Sequence, residues 1–220
     1  YGRIPNFDGA EEAAQSLANL PFFCTANVVK VNPDAPQRPV RLCVLRQHKR
    51  LLVPTPRLRQ GFLVVNPSQL KKAELERAVT IEGASRYGRP LRLEDLPKVD
   101  LIVAGSVAVS LDGIRVGKGG GYSEIEYGIL RELGLADEET PVVTTVHDLQ
   151  LVEAAPAEEH DLTTDMIVTP TRVIECARDR AKPTGILWDL IADQYLEQIP
   201  LLKQLSAIRG RYQNTKTQIP

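Results

Sequence analysis

Arg115 and Lys118 stand in a run that also holds Gly117, Gly119, Gly120 and Gly121 and is closed by Tyr122. Glycines lack Cβ, so the backbone here can approach an anion closely and take positive φ. Arginine can grip phosphate oxygens in a fork, and lysine adds a point charge beside them. The pattern from Tyr122 to Leu133 is helical, so the run ends at a helix start, where free N–H groups and the helix dipole favour phosphate. The spacing is not that of the P-loop, because Ser or Thr does not follow the lysine. Nor is it a dinucleotide-binding G-x-G-x-x-G directly after a strand. On its chemistry alone, the run fits either a phosphate cradle or a mobile surface turn.

The elements that would position it are readable around it. Asp100 to Gly105, Pro141 to Val146 and Asp165 to Pro170 have the composition of buried parallel strands. In open α/β sheets, ligands bind outside the carboxyl ends of such strands. A short helix is expected over 10–19, with Asp8 as its cap, and a strand over Val28–Val31. Val40 to Leu45 and Leu51 to Val53 read as two strands joined through the polar residues 46–50. Pro67 suits the first position of a helix over 67–79, and further helices are expected over Trp188–Gln198 and Leu201–Ile208. Strands and helices alternate, which predicts an α/β fold with a mostly parallel sheet. No linker interrupts the chain, so residues 1–220 are expected to form one domain. The first residue is Tyr1 and not methionine, so further residues are expected before it.

Lys and Arg number 27 against 28 Asp and Glu, which leaves no general basic footprint for nucleic acid or an anionic membrane. Any anion must be held locally. Cys24, Cys43 and Cys176 are far apart and lack C-x-x-C spacing, against a disulfide scaffold or zinc site and in keeping with a reducing cytoplasmic setting. No apolar run reaches the roughly 18 residues of a membrane helix.

Three ordered segments resemble the 5-formyltetrahydrofolate cyclo-ligase (5,10-methenyltetrahydrofolate synthetase) family. They are "LLVPTPRL" at 51–58, "DLIVAGSVAVSLDGIRVGKGGGYSEIEYGIL" at 100–130 and "PAEEHDLTTDMIVTPTRVI" at 156–174. "RIPNF", "VPTPRLR" and "KPTGILW" are most similar to its synthetase domain-containing branch. The resemblance implies a three-layer α/β/α fold of the type shared with sugar-phosphate isomerases (NagB, RpiA) and CoA transferases. It implies an ATP- and Mg²⁺-dependent ligase acting on a one-carbon folate. Arg115, Lys118 and Tyr122 would then be catalytic, and Arg115 to Tyr122 would hold ATP phosphates and part of the folate. Glu124 and Asp161 would stand where the family has Mg²⁺-linked aspartates. Without the resemblance, Glu124 is a first-turn helix acid and Asp161 a turn residue.

The chain also departs from the family pattern. Residues 1–24 lack the family's basic motif, and "VNPDAPQRPVRL" replaces a Glu-x-x-Thr-like segment, with Asp34 as a possible substitute acid. Ser123 replaces an aromatic residue, Ala104 a proline and Glu124 an aspartate. These departures support an alternative, a nucleotide-binding regulatory or RNA-associated protein on the same fold. No aromatic-basic RNA-recognition pattern occurs in the chain. Of the other charged residues, His147 and Asp148 read as a loop pair, Lys182 as a solvated lysine, and Arg57 and Arg59 as secondary anion contacts.

Overall fold

A computed structural model of the protein describes residues 2–177 and 179–216. Its strands are β1 (Val28–Val31), β2 (Arg50–Pro54), β3 (Phe62–Val65), β4 (Arg89–Pro90), β5 (Leu101–Ala104), β6 (Ala108–Ser110), β7 (Arg115–Val116), β8 (Val142–Thr145), β9 (Leu151–Val152), β10 (Met166–Val168) and β11 (Val173–Glu175). The main sheet runs β11-β10-β8-β5-β1-β2-β3-β4, and β7-β6-β9 form a small second sheet. The centre of the main sheet, from β10 to β2, is parallel, and the outer strands β11, β3 and β4 pair antiparallel. The expected mostly parallel α/β architecture is present.

Strand alternation divides two cores between the sheet's faces. Val29, Val31 and Val103 pack with Leu17 of α1 (Ala10–Ala18) and with Val40 and Val44 of α3 (Arg38–Arg46), the helix that follows α2 (Pro21–Thr25). Val28, Ile102 and Val142 pack on the other face. There they meet Ile125 and Ile129 of the helix after the glycine run and Leu202 of the C-terminal helix. Lys30 lies in register with Val28, so its side chain enters this second face with 1% exposure.

The crossover from β1 to β2 runs towards one sheet edge, and that from β5 to β8 runs towards the other. Right-handed crossovers in opposite directions must lie on opposite faces. The chain therefore parts between β1 and β5, and a crevice opens at their carboxyl ends, the place where such sheets bind ligands.

Four expected elements differ. Val40–Leu45 is not a strand but part of α3 (Arg38–Arg46). Pro39 sits in its first turn, and Val40, Arg41, Val44 and Leu45 are buried at helical spacing. The expected helix over 67–79 is broken into 3₁₀ turns at Pro67–Gln69 and Lys72–Glu74 and then α4 (Leu75–Ala78), followed by α5 (Ile81–Tyr87). Extended Leu70 and Lys71 interrupt it, and the Glu74 side chain accepts from the Lys71 N–H to start a new turn. Asp8 does not cap α1; Gly9, with φ 85°, occupies that position without a side-chain cap. Residues 188–198 split into a 3₁₀ turn at Trp188–Leu190 and, after α6 (Tyr122–Glu132) in the chain order of helices, α7 (Asp193–Gln198). The last helix, α8, covers Pro200–Lys216. Among the described residues no helix is long and apolar enough to cross a membrane.

Candidate functional site

β5 delivers the chain to Gly105 at the crevice. The hairpin of β6 and β7 then leads into the glycine run and α6. Gly119 and Gly121 have φ of 82° and 60°, and a Cβ at either would meet no atom within 4 Å. These two glycines therefore serve backbone conformation rather than space. Gly121 is the N-cap of α6, and no side chain caps that end. From behind, the Tyr195 hydroxyl on α7 donates to the Gly120 carbonyl at 3.0 Å. The Tyr195 ring meets Tyr122 edge to face, with centroids 5.6 Å apart. Tyr195 is a loop support that no local motif announced.

The loop forms one wall of a cavity of about 890 Å³. Asn32, Pro33 and Asp34, after β1, form a second wall, with Pro56 and Arg57 after β2 and exposed Ile81 beside them. His160 and Asp161 close another side, and Arg3 and Ile4 bring the N-terminal segment to the rim. Glu124 and Asp161 thus face the same space as Gly117, Lys118, Gly119, Gly120, Gly121 and Tyr122. Arg57 also lines it, while Arg59 does not. Arg57 and buried Leu58 both take left-handed φ, at 56° and 52°, which is uncommon for such side chains. Thr55 braces this turn, donating to the Gly61 carbonyl at 2.9 Å and accepting from the Gln60 N–H at 3.0 Å.

Both cations of the glycine run have acidic partners. Arg115 is 4% exposed, its guanidinium donating to the Gly105 carbonyl at 3.2 Å and pairing with Glu124. It ties the end of β5 to the first turn of α6. Lys118 is more open and pairs with Asp34 at 2.6 Å across the crevice. The Asp34 segment is itself held by Arg41, which donates to the carbonyls of Asn32, Asp34 and Val79. Burial lowers Arg41 to about 10, with Asp34 opposing that shift.

Glu124 and Asp161 are hard oxygen donors of the kind Mg²⁺ takes together with phosphates and water. Glu124 now serves Arg115, and one Asp161 oxygen accepts from the Glu158 N–H at 2.7 Å. Among the described residues no three His, Cys, Asp or Glu side chains come together as a ready-made metal cluster. The donor set fits a metal shared with a phosphate ligand and does not fit an all-protein cage.

A line of polar contacts runs behind this wall. Lys30 meets Glu126 of α6 at 2.5 Å, and both are almost wholly buried. Lys30 also donates to Asn32 Oδ1 at 2.6 Å, and Asn32 Nδ2 donates to Ser123 Oγ at 2.9 Å. Asn32 and Ser123 line the cavity; Asn32 falls in the segment that departs from the family pattern, and Lys30 belongs to no motif visible in the sequence. Lys182, read as solvated, is 3% exposed instead. It pairs with Asp165 at 2.7 Å and donates to the carbonyls of Glu138 and Thr140, away from the cavity. His147 and Asp148 lie outside the cavity lining as well. His147 Nδ1 accepts from the Leu149 N–H, and Asp148 accepts from Thr169, Thr171 and Arg172.

Comparison with known proteins identifies the family. The sequence model of the 5-formyltetrahydrofolate cyclo-ligase family matches residues 3–170. The chain is 48% identical over 209 residues to the methenyltetrahydrofolate synthase domain-containing protein of Mus musculus, covering 93% of this chain and 56% of that one. The Homo sapiens protein of the same name is 46% identical over 211 residues, covering 94% of this chain and 55% of that one. The chain thus spans little more than half the length of these relatives. The NMR structure of Aquifex aeolicus 5,10-methenyltetrahydrofolate synthetase superposes with a TM-score of 0.53 at 23% identity, covering 78% of this chain and 82% of that one, a likeness of fold. With the glycine loop at the sheet's switch point and the family pattern matched across most of its length, this chain belongs to the 5-formyltetrahydrofolate cyclo-ligase family.

Proposed function

We propose that the protein is an ATP- and Mg²⁺-dependent cyclo-ligase that converts 5-formyltetrahydrofolate into 5,10-methenyltetrahydrofolate. The observation that carries this reading is the convergence of the glycine loop, Glu124 and Asp161 on one cavity at the carboxyl ends of β1 and β5. In this reaction the formyl oxygen attacks the γ-phosphorus of ATP and ADP leaves. The second folate nitrogen then bonds to the formyl carbon and gives its proton to solvent, and phosphate departs with the former formyl oxygen. Phosphoryl transfer needs mainly positioning and charge stabilisation, which backbone N–H groups and cations supply.

In this reading the loop amides and Lys118 hold the polyphosphate. Arg115 keeps the loop's shape and adds positive charge from beneath it, and Tyr122 offers a ring to the folate. Arg57 and Arg3 are placed for the folate's carboxylates or the outer phosphates, and Ile81 and Pro56 for its apolar surface. Glu124 and Asp161 would hold Mg²⁺, which would supply positive charge to the phosphoryl group.

The test mixes the purified protein with 5-formyltetrahydrofolate and Mg²⁺-ATP and follows methenyl absorbance in acid. Product that requires both substrates is expected; none at high protein concentration overturns the reading. The lack of a basic motif in residues 1–24 and the altered segment "VNPDAPQRPVRL" favour a second reading, a nucleotide-binding regulatory protein. Calorimetry that detects ATP binding but no folate binding would select it.

A further inference from the structure

We propose that Ser123 donates a hydrogen bond to a phosphate oxygen held at the glycine loop, and that buried Lys30, acting through Asn32, fixes the sense of that bond. The proposal rests on the reading of the loop as a phosphate site. Its argument is the polarity of the contacts.

An ammonium group has donors and no acceptor, so the Asn32 atom at 2.6 Å from Lys30 Nζ must be the carbonyl oxygen. That choice leaves the amide nitrogen facing Ser123 at 2.9 Å, and an amide nitrogen only donates. Ser123 Oγ must then accept, so its own proton points elsewhere. Among the described residues no acceptor takes that proton, and Ser123 borders the cavity in the uncapped first turn of α6. The outcome is a hydroxyl held as a donor beside the N–H groups of a helix start, all facing one space.

The origin of the order is electrostatic. Lys30 is held by Glu126 in a place where neither charge can turn to water, so Asn32 cannot flip without placing its N–H₂ against an ammonium. A donor with fixed direction suits a phosphate oxygen, which accepts only. The aromatic residue that the family pattern has at this position would lack such a hydroxyl beside the first turn. Ser123 thus moves the recognition at this point from ring stacking to oxyanion binding. Ser123 would touch the ligand, and Lys30 and Asn32 are positioning residues.

Calorimetric titration with inorganic tripolyphosphate and with ATP tests this. Ser123→Ala is expected to weaken both by roughly tenfold, the loss of one hydrogen bond to a charged group. Ser123→Thr, which keeps the hydroxyl, should bind like the wild type. Asn32→Asp keeps the contact with Lys30 but offers Ser123 an acceptor, which turns the hydroxyl proton away from the cavity. Its effect should therefore be smaller in the Ser123→Ala background than alone, a non-additivity that general charge repulsion would not produce. Strict additivity overturns the positioning role of Lys30 and Asn32. Unchanged affinity in Ser123→Ala, with weakened binding in Lys118→Ala, overturns the donor role and leaves the loop reading standing. Failure of the wild type to bind either polyphosphate overturns both.

Discussion

Among the described residues two lysine–carboxylate pairs are buried, and they end differently. Lys182 meets Asp165 at 2.7 Å and gives its remaining hydrogens to the carbonyls of Glu138 and Thr140. Asp165 in turn accepts from the Val142 N–H at the start of β8. The hydrogen bonds that Lys182 and Asp165 make beside the ion pair go to backbone, so the pair ties the segment after β11 to the sheet. Lys30 meets Glu126 at 2.5 Å, but its other contact is a side-chain amide that reaches a hydroxyl on the cavity wall. Similar burial and similar charges thus give a lock in one place and an oriented donor in the other. The deciding difference is the next group along, a fixed carbonyl or an amide that has two possible senses.

Removing one member of each pair should separate these roles. Lys30→Met leaves the buried Glu126 carboxyl without its partner and is expected to cost about 3–5 kcal/mol of stability, read from the urea midpoint. Lys30→Met with Glu126→Leu should regain most of that loss, because no lone charge remains. The double variant should fold and still bind tripolyphosphate several-fold more weakly than the wild type, since Asn32 loses its anchor. Full affinity in the double variant would break the comparison. Lys182→Met is expected to cost about 2–3 kcal/mol, less than Lys30→Met because Asp165 keeps the Val142 N–H. Its tripolyphosphate affinity should be unchanged; a change there would show that the lock also reaches the site.

What could be read from the sequence follows the range of each interaction. The glycine run, its helix and the strand before it are contiguous, so their local pattern announces them. Central strands such as Leu101–Ala104 are buried on both faces and read as apolar runs. Val40–Leu45 has the same composition, and a short apolar run cannot by itself separate a strand from a buried helix. Pro39 and the burial of Arg41 decide for helix α3. Lys182 looked solvated because none of its partners is local, and the two carbonyls that accept from it lie more than 40 positions away in the chain. Ser123 was visible only as a departure from a family pattern. Its meaning depends on Asn32, 91 positions earlier, and on a lysine whose strand register turns it inward. Arg3 reaches the cavity rim although residues 1–24 match no basic motif.

A smaller effect is expected where the same chemistry is half exposed. Lys118 bridges the crevice to Asp34 with much of its side chain in water, so its charge is partly screened. Lys118→Ala should weaken ATP by about fivefold, while Asp34→Asn, which removes an acid facing the loop, should strengthen it by about threefold. Both changes should shrink as salt is raised, in contrast to those at buried Lys30. Weaker ATP binding in Asp34→Asn would mean that Asp34 supports the loop's shape more than it opposes the phosphate.

The smallest effect belongs to a third cluster of charge, at the surface. Desolvation works against the charged form of Asp148, but bonds from Thr171, Arg172 and Thr169 together hold its carboxyl below the usual value. A carboxyl depressed in the folded state adds stability above its unfolded value, near pH 4, and loses it as pH falls through the folded value. Asp148→Asn is therefore expected to lower Tm by about 2 °C at neutral pH, the size of a surface interaction in a chain of this length. The difference from wild type should begin to narrow below about pH 4 and close as pH falls through the lowered folded value. Because Asp148 lies outside the cavity lining, tripolyphosphate affinity should not move. A Tm difference that persists unchanged at pH 3 would assign the effect to shape rather than charge, and would place this cluster with the Lys182 lock as a tie of the fold.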